Sequence, residues 1–153
     1  MKRFFKCNNW LFIDIICSLF ILLFVYAAIS KITDVQKFRI QLGKSPLLAP
    51  FVGIVFWFVP AFEIGTALML MFKKLQLLAL YLSYFLMVVF TSYIITILNF
   101  SEYIPCSCGG ILENMTWNQH LIFNLIFVIA GIVGVLIYPK KETIAIARGS
   151  RKP

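Results

Sequence analysis

The stretch FVGIVFWFVPAFEIGTALMLMFKKLQLLALYLSYFLMVVFTSYIITIL, residues 51–98, decides the fold. It is two apolar runs, Phe51–Phe72 and Leu75–Leu98, divided only by Lys73-Lys74. A helix needs about 20 apolar residues to cross a bilayer, and both runs are long enough. Neither alternates in the way a membrane-barrel strand does. Two helices joined by so tight a basic turn are antiparallel neighbours. Pro60 removes a backbone donor from the first of them and is expected to kink it.

Similar runs lie on either side. One extends from about Trp10 to Ala28 and another from Leu121 to Tyr138. Of the 153 residues, 61% are hydrophobic and 13% charged, and the mean hydropathy is +0.93. A soluble domain has about 45–50% apolar and about 25% charged residues. The chain is therefore read as one membrane domain, 1–153, with helices at about 10–30, 51–72, 75–98 and 117–138 and a basic tail at 139–153. Its first partner is the lipid bilayer. The net charge of +8 does not point to nucleic acid in so apolar and aromatic a chain. The 16 phenylalanines need no cofactor to explain them; they are lipid-facing bulk and helix packing.

The first run has a basic start, Met1-Lys2-Arg3, like a signal peptide. Its apolar core exceeds the roughly 7–15 residues of a signal core, and Ala27-Ala28 is a poor cleavage site. A retained helix is expected. Orientation follows from Lys and Arg, which favour the cytoplasmic side. Lys2, Arg3, Lys6, Lys73, Lys74, Lys140, Lys141, Arg148, Arg151 and Lys152 fall on one side, against Lys31, Lys37, Arg39 and Lys44 on the other. Both termini and the Lys73-Lys74 turn are expected in the cytoplasm.

The segment Ser30–Pro50 then faces outside. Ile32, Val35, Phe38 and Leu42 recur at helical spacing, Thr33 or Asp34 is a candidate cap, and Gly43 a candidate stop. The pattern predicts a short amphipathic helix on the outer membrane surface, with a plain connecting loop as the other reading. The expected fold is thus all-α: a four-helix membrane bundle with an extracytoplasmic surface helix between the first two spans. Thr116-Trp117-Asn118-Gln119 is a capping box that starts the last helix. Gly131 and Gly134 permit close packing along it.

Between the third and fourth spans lies IPCSCGGILENMTWNQHLIFN, residues 104–124. Pro105 stiffens the approach to Cys106, and Gly109-Gly110 frees the exit from Cys108. On the outer side this loop sits where disulfides persist. Cys7 is at the opposite end. Cys17 lies 13 residues before Ser30, roughly 20 Å down a helix, and a disulfide needs Cα atoms within about 7 Å. Within one chain, Cys106 and Cys108 can pair only with each other. So small a ring is strained, and strained exposed disulfides exchange readily. It is also a weak staple, because tiny loops remove little unfolded-state entropy. Redox exchange competes here with a static bridge or idle thiols, and with a metal site using Glu113 and His120. The spacing fits no established zinc pattern, so no metal is expected.

His120, the single histidine, falls at the start of the last helix on the side of the cysteines. A neutral imidazole there can accept a thiol proton, and the thiolate is the attacking species; the plainer reading is an interfacial anchor. Glu63 lies three residues after Pro60, near the middle of its span, where an ionisable group is by default a functional candidate. It has a structural reading, protonated and bonded to Ser83, Thr91 or a tyrosine of a neighbouring helix. It also has functional ones, as a proton acceptor or part of a quinone pocket. Asp14 shares a face with Cys17 and Ser18 near the inner surface, and Cys17 reads as a small packing residue. Asn124, beneath the cysteine loop, is a candidate supporting residue. No cofactor motif is evident; a quinone is one conceivable electron station.

Three stretches carry a resemblance: YAAISKITDVQKF after the first span, PAFEIGTALML in the second, and CSCGGI with TWNQHLIFN entering the fourth. Together they resemble the DoxX-like superfamily of small four-helix bacterial membrane proteins, and within it the MauE branch, over most of the chain. That branch is associated with maturation of a periplasmic, disulfide-rich enzyme subunit. The resemblance implies a role in forming or shuttling disulfides for an envelope protein partner, with Cys106 and Cys108 as the matching positions. Two functions of different class therefore stand: a thiol–disulfide oxidoreductase, and a non-catalytic subunit that anchors or assembles a partner complex. A carrier built on Glu63 is a third.

Overall fold

The structure, a computed structural model, describes residues 2–44, 49–100 and 116–139. Helix α1 runs Lys2–Thr33, α2 Val35–Lys44, α3 Val52–Met71, α4 Gln76–Phe100 and α5 Trp117–Ile137, with one 3₁₀ turn at Ala49–Phe51 before α3. There is no strand among the described residues. Among the described residues, four helical stretches are long and apolar enough to cross a membrane: Trp10–Thr33, Ala49–Met71, Gln76–Asn99 and Asn118–Ile137. The protein is an all-α, four-span membrane bundle.

The order of the spans follows from the turns between them. α1 packs most extensively on α3, α4 on α5, and α3–α4 and α1–α5 contacts close the bundle. The core is aliphatic and aromatic: Ile13, Phe20, Phe24, Leu70, Leu80 and Met87 are buried. Phe20 stacks on Phe24 and meets Phe127 of α5 edge-on, at 5.8 and 5.4 Å between ring centroids. Large apolar side chains such as Leu22, Trp57, Phe85 and Leu136 point outward. In water that would be a fault; in a bilayer it is the lipid-facing surface.

α5 begins as its sequence predicts. The Thr116 hydroxyl accepts from the Gln119 backbone N–H at 3.4 Å, and the Gln119 side chain accepts from the Thr116 N–H at 2.9 Å. Both arms of the capping box are therefore present. Further along, a Cβ placed on Gly131 would come within 3.2 Å of Tyr84 Cβ, and one on Gly134 within 3.3 Å of Ile16 and Leu80. The absent side chains let α5 lie close against α4 and α1, which in lipid is a main source of helix–helix attraction.

Two details differ from the sequence reading. The first helix starts at Lys2, ahead of the apolar run, because bilayer thickness limits the apolar stretch and not the helix. Neither Thr33 nor Asp34 stops it cleanly: the Thr33 hydroxyl bonds back to Ile29 O at 2.9 Å. The backbone ladder runs on through Asp34 N–H to Ser30 O and Phe38 N–H to Asp34 O. α2 is thus a bent continuation of α1. Of the four residues assigned to its apolar face, Phe38 and Leu42 are buried against the bundle, Ile32 belongs to α1 and is exposed, and Val35 is exposed. Phe38 meets Phe56 of α3 at 5.7 Å.

Candidate functional site

Lys31 stands two residues before the end of α1, where a lysine ordinarily extends its ammonium outward to water. Here it turns back. Its Nζ donates to Ala27 O, one helical turn earlier, at 3.3 Å, and to Glu63 Oε1 at 2.7 Å. Glu63 of α3 is completely buried and the Lys31 side chain 14% exposed. Phe38 of α2 and Phe90 of α4 bring their rings to 6.0 Å from the ammonium, within reach of a cation–π attraction. His120 on α5 is close enough for the same charge to act on it. Helices α1 and α3 supply the polar pair of this site, and α2 and α4 supply aromatic rings against it.

Glu63 binds this cation through one oxygen only. Its Oε2 is shielded from solvent and has no hydrogen-bond partner among the described residues. The partners that sequence suggested are engaged elsewhere: the Ser83 hydroxyl donates to Ala79 O at 2.8 Å and that of Thr91 to Met87 O at 2.7 Å. Both close local bonds on their own helix, as Ser and Thr commonly do in apolar surroundings. Lys31 is the residue that sequence reasoning missed. Counting it as a surface charge for topology concealed it, and its spacing from Glu63 carries no period that would reveal it.

His120 follows the capping box directly, its N–H bonded to Thr116 O at 2.9 Å, and is partly buried. Asn124 lies one turn further on the same face and is buried. Cys106 and Cys108 lie outside the described residues. The connection that carries them leaves α4 after Phe100 and enters α5 at Thr116, so its anchor in α5 is one turn from His120.

A second polar cluster occupies the opposite end. Lys73, in the α3–α4 turn, pairs with Asp14 of α1 and lies 5.4 Å from the Trp10 ring. The buried Gln76 donates to Asp14 Oδ1 at 3.4 Å and to Cys17 Sγ at 3.3 Å. Cys17 is free and buried, so it packs as expected but also accepts a hydrogen bond. Among the described residues, no three His, Cys, Asp or Glu side chains come together as metal ligands would.

An integral membrane bundle with a charged pair sealed at one end and an exposed pair at the other defines the class. A family model described as "Methylamine utilisation protein MauE" matches residues 9–137, a span that contains both pairs, and the chain belongs to that family. Comparison with curated proteins and with solved structures gives no match.

Proposed function

We propose that the chain is a thiol–disulfide redox protein of the bacterial inner membrane, which forms or shuttles disulfides for an envelope protein partner through Cys106 and Cys108. The observation that carries this reading is the pair of cysteines one residue apart, between two membrane helices, in a ring too small for a useful staple. Membership of a family described by methylamine utilisation supports a partner that serves that process, and the basic residues favour termini in the cytoplasm and a cysteine loop outside. In this reading a thiol of the pair attacks a partner disulfide, or a partner thiol attacks the Cys106–Cys108 bridge. His120 is positioned near the loop's anchor as an auxiliary proton acceptor, and Asn124 supports the helix face beneath it.

The test is thiol labelling of intact cells with and without reductant, followed by trapping of mixed disulfides with Cys106→Ser and Cys108→Ser single variants. Outward-facing, reductant-sensitive thiols and a trapped partner are expected. Unchanged partner disulfides in the double Ser variant reject the reading. That outcome favours a non-catalytic anchoring subunit, for which the exposed Ile32 at the end of α1 and Val35 at the start of α2, three residues apart, offer an apolar contact. Polar substitutions at these two positions would then abolish function while the cysteines remain dispensable.

A further inference from the structure

We propose that Lys31 and Glu63 form an intramembrane proton-exchange site, in which Glu63 takes up and releases a proton at Oε2 while Lys31 holds the carboxylate by Oε1. The proposal rests on the thiol-exchange reading for its use, but not for its existence.

Three observations carry it. First, Lys31 gives up the short path to the surface and bends inward by a full turn to reach Glu63. Such a pair brings little stability, since the cost of desolvating two charges offsets their attraction. An ionisable group kept inside a membrane protein is by default a functional candidate. Second, the site is asymmetric. Oε1 is bound, whereas Oε2 is buried without a donor among the described residues, and a buried acceptor left so is costly. A proton at Oε2 removes the negative charge whose burial is costly. Third, the groups that face the pair are few. α1 presents Lys31, α2 and α4 present the rings of Phe38 and Phe90, and α5 presents His120. Lys31 is the one charge that bears on Glu63 among the described residues. Gain or loss of a proton therefore changes the local charge balance directly, with no second acid to buffer it.

α1 and α4 end and α5 begins on the same side of the bundle, so Lys31 stands on the side of the anchors of the cysteine connection, and this gives the proton a use. In the exchange proposed above, one thiol loses its S–H proton and its electron pair forms a bond to one sulfur of the partner's disulfide. The other partner sulfur leaves with the electrons of the broken S–S bond and takes a proton. Glu63 stores the proton between the two events, passing from carboxylate to carboxyl and back. No other reactant is consumed.

The experiment is infrared difference spectroscopy on the full chain reconstituted in lipid, titrated with acid and base, in the wild type and in Glu63→Gln, Glu63→Asp and Cys106→Ser/Cys108→Ser. A carboxyl C=O band that titrates in the wild type, shifts in Glu63→Asp and vanishes in Glu63→Gln is the expected result. Should Glu63→Gln not fold, the shift in Glu63→Asp decides. No titrating band in the wild type, or an unmoved band in the Glu63 variants, overturns the site. The double Ser variant separates the two readings, because the acid titration persists there if the site is real, whatever the fate of the redox proposal. A second trace, recorded on adding dithiothreitol, is expected to show the same band in the wild type and to lose it in the double Ser variant. Its absence in the wild type removes the link to thiol chemistry and returns Glu63 to a proton site without that use.

Discussion

Two lysine–carboxylate pairs among the described residues have the same chemistry and opposite surroundings. Lys31–Glu63 is sealed, with side chains 14% and 0% exposed, whereas Lys73–Asp14 is open, at 59% and 50%. The open pair bridges a turn to α1 at the bundle's edge, where water hydrates both ions and the interaction contributes little. The sealed pair joins two spans beneath aromatic rings, where neither ion can be hydrated and each depends on the other. Sequence proximity to the ends of spans would have ranked Lys31 and Lys73 alike. What separates them is the direction each side chain takes from its backbone.

The largest test of this contrast breaks one partner at a time. Lys31→Met or Glu63→Ala alone leaves an uncompensated buried group, and a loss of about 3–5 kcal/mol is expected, read as a fall in the unfolding midpoint in detergent. The double variant Lys31→Met/Glu63→Leu is expected to recover most of that loss. Single variants as stable as the wild type would mean that the sealed pair is hydrated like the open one.

Next in size are the contacts that hold the helices close enough to seal one end. Gly131→Val or Gly134→Val drives a side chain into Tyr84, or into Ile16 and Leu80. Such overpacking is expected to cost about 1–3 kcal/mol, measurable in the same unfolding assay. Thr116→Ala removes the cap that starts α5 just ahead of His120, for a loss of about 1 kcal/mol. Amide exchange should rise in the first turn of α5 and leave α3 unchanged. The smallest effect belongs to the open pair. Asp14→Asn is expected to change stability by less than about 1 kcal/mol, and added salt should shrink the difference. Salt should leave the Lys31 and Glu63 variants unaffected, since buried ions are poorly screened.

These expectations also mark where sequence reading succeeds. The four spans were legible because apolar runs such as Phe51–Phe72 have one physical solution in lipid. The start of α5 was legible because Thr116 and Gln119 satisfy each other's backbone within a single turn. The joint of α1 and α2 was not, because Thr33 and Asp34 look like the cap of a separate helix yet the backbone ladder passes through them. The partner of Glu63 was hidden for a different reason: Ser83 and Thr91 offered plausible hydroxyls on α4, but each closed a bond on its own helix. Cys17 was legible as a packing residue, while its bond from Gln76 depends on the register between α1 and α4, which no local pattern encodes.

α1 has a further consequence. Its 32 residues span about 48 Å at the usual rise, whereas a hydrocarbon core is about 30 Å thick. Its apolar portion begins at Trp10, and the contacts of Asp14 and Trp10 with Lys73 place that end beside the α3–α4 turn. The helix therefore continues through Lys2–Asn9 for roughly 12 Å beyond the apolar span. On this side about two turns of backbone outrun the hydrocarbon.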